Sequence, residues 1–327
     1  MSTEPFVPEL SDADAIDAEA AAGDKVGWSR LGYEMRRPTW DDSNLGDVAG
    51  KTVVVTGATA GLGLATAESL VDLGAAVVLV SRSADKLASV AAEIAERTGR
   101  AVAGTVVCDL SSLESVRGAA AQLRQTLPRI DVLINNAGIL LHERLVTPDG
   151  FEMVWATNLL GPYLLTELLL DRLVASAPSR VIEVTSGGMY SQKIDVVDHQ
   201  TLNQDYDGLA VYARTKRGQV IVTEVRAAQH ADSGVVFHSM HPGWAATPGV
   251  FESIPLFAEK FGEILRTPAQ GADTTVWLAA APEPARVNGL LWQDRRPRET
   301  YRDDATRESS EERARLIELL REQAGLS

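Results

Sequence analysis

The chain has 327 residues, enough for one large α/β domain or two ordinary ones, and its 45% hydrophobic and 23% charged residues are ordinary for a soluble globular protein. A formal net charge of −14 argues against nucleic acid as a partner. Cys108 is the single cysteine, so an intramolecular disulfide is excluded and a reducing compartment fits.

The N-terminus is acidic and lacks the basic and apolar pattern of a signal peptide, and no run of residues approaches the roughly eighteen apolar positions of a membrane span. We therefore predict a cytoplasmic protein without a membrane span. Residues 1–27, rich in Asp, Glu and Ala, are predicted to form a mobile acidic arm. Residues 28–47 mix aromatic with basic residues and are predicted to form a strap across the domain surface, with a partner-binding segment as the alternative.

The next segment, Lys51 to Leu73, predicts a buried strand followed by a glycine-rich loop and a helix. Three consecutive valines suit a parallel strand that is buried on both faces. The loop has the spacing GxxxGxG at Gly57, Gly61 and Gly63, which lets a ligand approach the backbone and the N-terminus of the helix. Phosphate is the group that such a loop suits.

Strands and helices continue to alternate along the rest of the chain, which predicts a parallel sheet with helices on both faces. We therefore predict an α/β fold with a single doubly wound, Rossmann-type domain over residues 48–300, a mainly parallel sheet of about seven strands, and a C-terminal helical tail over 301–327. The predicted strands after the first are 76–81, 101–108, 131–135, 180–185, 235–240 and 289–293. The predicted helices after the first are 84–97, 112–127, 151–175 with a kink at Gly161-Pro162, 211–229 and 269–281.

Ligands of such sheets bind outside the carboxyl ends of the strands, so the residues that follow each strand are the candidates for a site. Several of these segments form an ordered set that resembles the short-chain dehydrogenase/reductase family over roughly residues 48 to 295. The matching residues are TGATAGLG at 56–63, NNAG at 135–138, Asn158, Ser186, YARTK at 212–216 and HPGW at 241–244. The resemblance implies a nicotinamide-dependent oxidoreductase.

Tyr212 and Lys216 are four positions apart on a predicted helix, so their side chains share a face, and an ammonium near a phenol lowers the pKa of the phenol. The resemblance implies that Tyr212 is the catalytic acid or base and that Lys216 also holds the nicotinamide ribose. It implies a catalytic role for Ser186 in orienting the substrate oxygen, with Thr185 and Ser191 as rival hydroxyls. It assigns to Asn158 a water that connects Lys216 to solvent.

The choice of cofactor depends on the end of the second strand, where an NAD site usually carries a carboxylate and a 2′-phosphate requires a cation. The chain has Ser81 and Arg82 there, so we predict NADP(H) and place NAD(H) second. Ala60 stands where some NADP-preferring relatives carry another basic residue, which argues against this choice. The remaining cofactor contacts implied by the resemblance are Gly57, Thr59, Gly61, Leu62, Gly63, Asp109, Leu110, Asn135, Ala137, Gly138, Tyr212, Lys216, Pro242, Gly243 and Thr247.

The segment from Val250 to Leu265 has apolar residues at spacings that predict an amphipathic flap over the nicotinamide, with Trp244 at its edge, and hence an apolar substrate pocket. Packing of this segment on the core is the alternative. Residues 159–173 are apolar almost all round, which is compatible either with a second subunit or with a neighbouring helix. His238 and His241 point to opposite faces of a strand, so we predict no metal site.

We therefore expect an NADP(H)-dependent oxidoreductase that interconverts a carbonyl and an alcohol on a small, apolar substrate. A non-catalytic NADP-binding sensor or scaffold on the same fold is the alternative. A sugar-nucleotide epimerase or dehydratase is disfavoured, because relatives of that type usually have the spacing GxxGxxG and a larger C-terminal substrate domain.

Overall fold

Valine-rich strands form the centre of the sheet in the computed structural model, which describes residues 11–326. The strands are β1 (Thr52–Thr56), β2 (Ala76–Ser81), β3 (Gly104–Val107), β4 (Val132–Asn135), β5 (Ser179–Val184), β6 (Val235–Met240), β7 (Leu291–Gln293) and β8 (Arg296–Arg298). Their order across the sheet is β3-β2-β1-β4-β5-β6-β7-β8, and all neighbours except β7 and β8 are parallel. The order reverses between β1 and β4, and a ligand cleft is expected at that reversal.

Helices cover both faces of the sheet. They are α1 (Asp12–Ala21), α2 (Asp24–Gly27), α3 (Arg30–Arg36), α4 (Gly61–Asp72), α5 (Ala84–Thr98), α6 (Leu113–Thr126), α7 (Met153–Trp155), α8 (Gly161–Ala175), α9 (Gly208–Gln229), α10 (Pro248–Ser253), α11 (Pro255–Phe261), α12 (Pro268–Ala280) and α13 (Ser310–Gln323). Val53 and Val55 pack in the core with α4 and α12, whereas Val54 packs in the core on the other face with α6 and α8. The predicted doubly wound architecture is therefore confirmed.

The sheet has eight strands rather than about seven, because the chain turns back after β7 and adds an antiparallel edge strand. The turn consists of Asp294 and Arg295, whose φ angles are 53° and 59°. Tight hairpin turns of this kind usually contain glycine or asparagine, so a turn without them is hard to recognise in a sequence.

The N-terminal region differs from the predicted arm in its described part. Residues 12–21 form α1, which begins at the capping residue Ser11, and the carboxylates of Asp14 and Asp17 pair with Arg296 and Arg298 of β8. Because the partners are about 280 positions away, local sequence composition could not reveal the attachment. Residues 1–10 of the predicted arm lie outside the described residues, and the predicted domain boundaries stay a prediction.

The predicted helix over 151–175 is divided into α7, a π-helical turn over Ala156–Leu160, and α8. By length and composition the helical stretch Met153–Ala175 could cross a membrane, contrary to our statement that no run approaches this length. In the structure, 72% of its most apolar window is buried inside the protein. Its apolar surface therefore packs against the sheet and the neighbouring α6.

Shorter turns of 3₁₀ helix connect these elements, and one of them, Gly187–Ser191, follows β5 directly. The others are Arg37–Thr39, Leu45–Val48, Gly262–Ile264, Glu283–Arg286 and Asp304–Thr306. The last helix, α13, starts at a capping box formed by Ser309 and Glu312, and its buried Leu316 and Leu320 join the core.

Candidate active site

A cavity of about 1170 Å³ lies at the carboxyl ends of the strands, at the reversal between β1 and β4. Its wall contains every residue predicted to bind the cofactor or to take part in catalysis, except Asn135 and Asn158. The loops after β1, β2, β3, β4, β5 and β6 all contribute to it, because parallel strands bring their carboxyl ends to one edge of the sheet.

The glycine-rich loop leaves room for a bound group at one end of the cavity. Gly57 has a φ angle of +65°, and a Cβ atom on it would lie 2.8 Å from the Cα atom of Ala137, so glycine is required there. Ala60, which precedes α4, makes no side-chain cap at the start of that helix. The N–H groups of the first turn of α4 are therefore available to a phosphate group, and the loop fits a dinucleotide.

The end of β2 presents a hydroxyl pair and an exposed cation to the same cavity. The hydroxyls of Thr59 and Ser81 are 3.1 Å apart, and Arg82 is exposed. Within residues 11–326, the guanidinium of Arg82 has no hydrogen-bond or ion-pair partner, so it is free to receive an anionic group. Asp109 and Leu110 line the cavity on the neighbouring side, where the Asp109 carboxylate accepts hydrogen bonds from the backbone N–H and the hydroxyl of Ser111.

Asn135 does not reach the cavity, which corrects its predicted place beside the cofactor. Its side chain is fully buried, and its amide donates to Thr166 at 2.9 Å and to Glu183 at 2.7 Å. Asn136 lines the cavity instead, and its amide donates to the backbone oxygen of Thr56 at 2.9 Å. Successive residues of a strand point to opposite faces, and the sequence alone did not show which of the two asparagines faces the core.

Ser186, Tyr212 and Lys216 all line one stretch of the cavity wall. A Cβ atom built on Gly188 would lie 3.6 Å from Ser186 Oγ and 4.0 Å from Tyr212 Cε1, so the hydroxyl and the phenol border the same small space. Lys216 Nζ lies 5.6 Å from the centre of the Tyr212 ring and donates to the backbone oxygen of Val184 at 2.9 Å.

The two rival hydroxyls line the cavity as well but are engaged with backbone oxygens. The Thr185 hydroxyl donates to Lys216 at 2.7 Å, and the Ser191 hydroxyl donates to Gly188 at 2.8 Å. Ser186 Oγ accepts a hydrogen bond from the Gly188 N–H at 3.2 Å, so its proton stays available for another partner. Ser186 is therefore the hydroxyl that is best placed to donate to a ligand.

The pKa of Tyr212 is shifted in the direction opposite to our prediction. Burial raises the pKa of the Tyr212 phenol, and interaction with the Ser186 hydroxyl opposes this rise. Burial also lowers the pKa of Lys216, to about 8, with the carboxylate of Glu183 opposing the change. Both groups are taken out of water, and removal from water disfavours the charged form of each.

Asn158 lies in the π-helical turn, fully buried behind the cavity wall. Its amide oxygen accepts from the N–H of Ile139 at 2.8 Å, and its amide nitrogen donates to the oxygen of Ile139 at 2.9 Å and to Thr215 at 3.2 Å. A Cβ atom on Gly138 would lie within 3.4 Å of both Lys216 Nζ and Asn158 Oδ1. Asn158 thus joins the loop after β4 to α9, which carries the tyrosine and the lysine.

His238 and His241 point away from each other, as the strand geometry predicts. His238 lies in the core, where Nδ1 accepts from the Trp292 indole at 3.0 Å and Nε2 lies 2.9 Å from the oxygen of Pro284. His241 lines the cavity, and its Nδ1 accepts from the Gly187 N–H at 2.9 Å. Pro242, Gly243 and Thr247 follow it along the wall, and Thr247 starts α10 as its capping residue.

Helices α10 and α11 cover one side of the cavity, in the place predicted for the flap. Phe257 lines the cavity and packs with Trp244 and Phe261 at ring-centre distances of 5.1 and 4.9 Å. The side chains of Val250 and Ile254 line the same side. Further apolar residues line the cavity, namely Leu140, Leu141, Leu145, Met153 and Leu209.

One residue near the site was not singled out from the sequence. Trp28 does not line the cavity but lies directly behind it, with its ring 4.8 Å from the ring centre of His241 in an edge-on arrangement. A Cβ atom on Gly187 would lie 2.7 Å from this indole. In the sequence, Trp28 was marked only by its position among other aromatic residues. Such a position does not show which residue the indole contacts.

Comparison with known proteins identifies close likenesses. Residues 51–254 match the family profile described as short chain dehydrogenase. The chain is 40% identical over 301 residues to dehydrogenase/reductase SDR family member 12 of Bos taurus, covering 91% of this chain and 94% of that protein. It is 34% identical over 285 residues to retinol dehydrogenase 13 of Homo sapiens, covering 83% and 86%.

A solved structure from Beutenbergia cavernae, described as an NAD(P) dependent gluconate 5-dehydrogenase with bound NADP at low occupancy, has a TM-score of 0.63 to this chain. It is 28% identical and covers 75% of this chain and 95% of that one.

Proposed function

Since the chain belongs to the short-chain dehydrogenase/reductase family, whose members are oxidoreductases that bind nicotinamide cofactors, we propose that it is an NADP(H)-dependent enzyme that interconverts a carbonyl and an alcohol on a small, apolar substrate. The observation that carries this proposal is that Ser186, Tyr212 and Lys216 border a cavity whose other end is the glycine-rich loop. A protein that only binds a nucleotide does not need a hydroxyl, a phenol and an ammonium on the same wall.

Each residue has a proposed task in the reaction. The Ser186 hydroxyl donates a hydrogen bond to the substrate oxygen and places it against Tyr212, which gives its proton to that oxygen in reduction and takes it back in oxidation. Bound NADPH supplies the hydride for the carbonyl carbon. Lys216 holds the cofactor ribose and provides positive charge next to the phenol, which favours the ionised form of Tyr212. Asn158 acts through the loop that it ties to α9.

The preference for NADP(H) is supported by the free guanidinium of Arg82 at the end of β2. A planar guanidinium can donate two parallel hydrogen bonds to a phosphate, and the residue after Ser81 is this arginine rather than a carboxylate that would take a ribose hydroxyl. A bound NADP in the B. cavernae structure, which belongs to a protein 28% identical to this one, agrees with this preference.

An apolar substrate is supported by the side chains that line the far end of the cavity. Phe257 and Ile254 line the cavity together with Leu140, Leu141, Leu145, Met153 and Leu209. The similarity to retinol dehydrogenase 13, a protein named for an apolar alcohol, agrees with this proposal.

We also propose a cytoplasmic location, which is the location predicted from the sequence. Both a monomer and a homo-oligomer are compatible with the proposed function.

The catalytic part of the proposal is tested by replacing Tyr212 with phenylalanine. With NADPH and a panel of apolar aldehydes and ketones, Tyr212→Phe should reduce kcat by at least about 100-fold, because one general acid contributes that much. NADPH binding, followed by its fluorescence, should change little. Tyr33→Phe is the matched control, since Tyr33 lies outside the cavity and its hydroxyl is 3.5 Å from Asp273. Turnover by Tyr212→Phe at the wild-type rate would refute the mechanism and favour the sensor or scaffold.

The cofactor part is tested by Arg82→Ala. The variant should bind NADPH about 10- to 100-fold more weakly and NADH with unchanged affinity, because it loses a charged hydrogen-bonding pair with the phosphate. Arg100→Ala, which removes the same charge from an exposed position two residues after α5, should change neither affinity. If wild type binds both cofactors equally and Arg82→Ala does not alter this, the assignment to NADP(H) is wrong.

A further inference from the structure

The N-terminal segment reaches the catalytic wall from behind, and its contact residue there is Trp28. The backbone oxygen of Trp28 accepts from the N–H of Trp244 at 2.6 Å, which attaches the segment to the loop after β6. The neighbouring oxygens of Gly27 and Ser29 accept from the buried guanidinium of Arg266 at 3.1 Å each. The segment around Trp28 is therefore held through three consecutive backbone oxygens, one bound by the backbone of Trp244 and two by the side chain of Arg266.

The indole of Trp28 fills the space over the loop that carries Ser186. Glycine is required at position 187, because a Cβ atom there would lie 2.7 Å from the indole and 2.9 Å from His241 Nε2. The ring of Tyr190, at the end of the same 3₁₀ turn, stacks on the indole at 6.0 Å. Trp28 thus contacts both ends of the short turn that follows Ser186.

The indole also holds the histidine that binds this loop. His241 Nδ1 accepts from the Gly187 N–H, so the neutral ring must carry its proton on Nε2. Nε2 is buried and has no hydrogen-bond partner among the described residues, and the edge-on indole lies beside it. Burial and the neighbouring arginines, with Arg266 foremost, keep the pKa of His241 well below its usual value. The ring therefore remains an acceptor for the loop at neutral pH.

A guanidinium group packs on both rings of this stack. The guanidinium of Arg302 lies 4.6 Å from the ring centre of Trp28 and 4.5 Å from that of Tyr190, and it pairs with Asp24 of α2. The Arg302 guanidinium therefore contacts both rings and joins them to α2 through Asp24.

We propose that Trp28 is a positioning residue for catalysis, which acts through His241 and Gly187 to hold the Ser186 hydroxyl against Tyr212. This inference rests on the proposed function, because it assigns a task to a residue that supports the proposed hydrogen-bond donor. It gives the N-terminal segment a role in the reaction rather than in binding of the nucleotide.

The kinetic test compares Trp28→Leu, Trp28→Phe and the control Trp40→Leu. Trp28→Leu should lower kcat by about 10- to 100-fold, because displacement of a catalytic group by about 1 Å costs up to that much. Its affinity for NADPH should stay within about twofold of wild type, whereas Trp28→Phe, which keeps an aromatic ring, should recover most of kcat. Trp40 belongs to the same segment but packs on Tyr33 and Arg295, away from the cavity, so Trp40→Leu should turn over normally.

A double variant separates positioning from general destabilisation. If Trp28 acts through Ser186, Trp28→Leu combined with Ser186→Ala should be no slower than Ser186→Ala alone, because the two changes remove the same contribution. Losses that multiply in the double variant would overturn the proposal. The proposal would also be overturned if Trp28→Leu had a normal kcat per folded molecule, so that its lower activity came only from an unfolded fraction.

Hydrogen exchange tests the inference without turnover, so that its failure can be told from failure of the proposed function. In Trp28→Leu, the amides of residues 187–191 should exchange about tenfold faster than in wild type and in Trp40→Leu, since local opening becomes easier when packing is lost. Unchanged exchange over these residues would overturn the inference even if the enzyme is an active reductase. Faster exchange in Trp28→Leu, in a protein whose wild type turns over no carbonyl, would support Trp28 as the residue that holds the turn and would refute the proposed function alone.

Discussion

At the scale of single residues, burial changes the pKa of Lys216 more than the nearby carboxylate of Glu183 does. Lys216 is 3% exposed, and this burial lowers its pKa to about 8 although the carboxylate of Glu183 opposes the change. A lysine with a lowered pKa binds a proton less tightly in the folded protein than in the unfolded chain. The folded state therefore gains stability as pH rises from about 8 towards the ordinary value of 10.5, and it is penalised below that window.

We predict that Lys216→Met stabilises the protein at pH 7 by about 1–3 kcal/mol while it abolishes turnover, because it removes the penalty for a buried charge. The gain over wild type should shrink as pH rises from about 8 to 10, which unfolding in urea at several pH values measures. Lys86→Met, at an exposed position of α5, is the control and should show no such dependence. A variant less stable than wild type at pH 7 would show that the interactions of the ammonium stabilise the folded state by more than its burial destabilises it.

At the scale of elements, helices α10 and α11 cover the cavity, with one face that borders it and another that is exposed to solvent. Phe257 lines the cavity and packs between Trp244 and Phe261, whereas Leu256, the preceding residue, is 79% exposed. Of the two phenylalanines that pack on Trp244, Phe257 also borders the cavity and Phe261 does not, and the flap over the nicotinamide stays a prediction. The inner face is thus apolar where the substrate is proposed to bind.

We predict that Phe257→Ala raises KM for an apolar carbonyl substrate by about tenfold, because a buried phenylalanine contributes about 1.5–3 kcal/mol of apolar contact. The values of kcat and of NADPH affinity should change by less than about threefold. Steady-state kinetics with one apolar ketone and one small polar ketone would measure this, with the smaller effect on the polar one. Leu256→Ala makes the same kind of truncation on the outer face, and an equal effect there would show that α11 does not bind the substrate.

At the scale of the whole molecule, a buried group of ions joins the N-terminal helices to the sheet. Asp294, in the turn between β7 and β8, accepts from Arg36 at 2.7 Å and from both terminal nitrogens of Arg266 at 2.6 and 2.8 Å. All three side chains are at most 2% exposed. Arg36 comes from α3 and lies 258 positions from Asp294, so the carboxylate links the beginning of the chain to its last strands.

We predict that Asp294→Asn lowers the free energy of unfolding by about 3–5 kcal/mol, since the buried guanidinium of Arg266 loses the carboxylate that balances it and Arg36 loses one ion pair and keeps that with Asp17. Chemical denaturation of the variant and of wild type measures the change. The control is Asp304→Asn, whose side chain is 95% exposed and 3.4 Å from Arg307, and it should cost less than about 1 kcal/mol. Similar costs for the two variants would mean that the buried ions are not a structural link.

The sequence alone predicted the order of strands and helices, the glycine-rich loop and the family, because these features depend on residues that are close together along the chain. Alternation of valine-rich strands with amphipathic helices and the spacing of three glycines are local signals of this kind. The predicted residues after each strand lie around one cavity for the same reason, since parallel strands deliver their carboxyl ends to one edge.

The tertiary structure decided what depends on contacts between distant residues. Composition predicted a mobile arm for residues 1–27, whereas Asp14 and Asp17 of α1 form ion pairs with arginines about 280 positions away. Strand alternation left open which asparagine faces the core, and packing placed Asn135 there. The direction of the Tyr212 pKa shift was reversed, because the cost of removing a group from water depends on everything that surrounds it and not on its neighbour four positions along a helix.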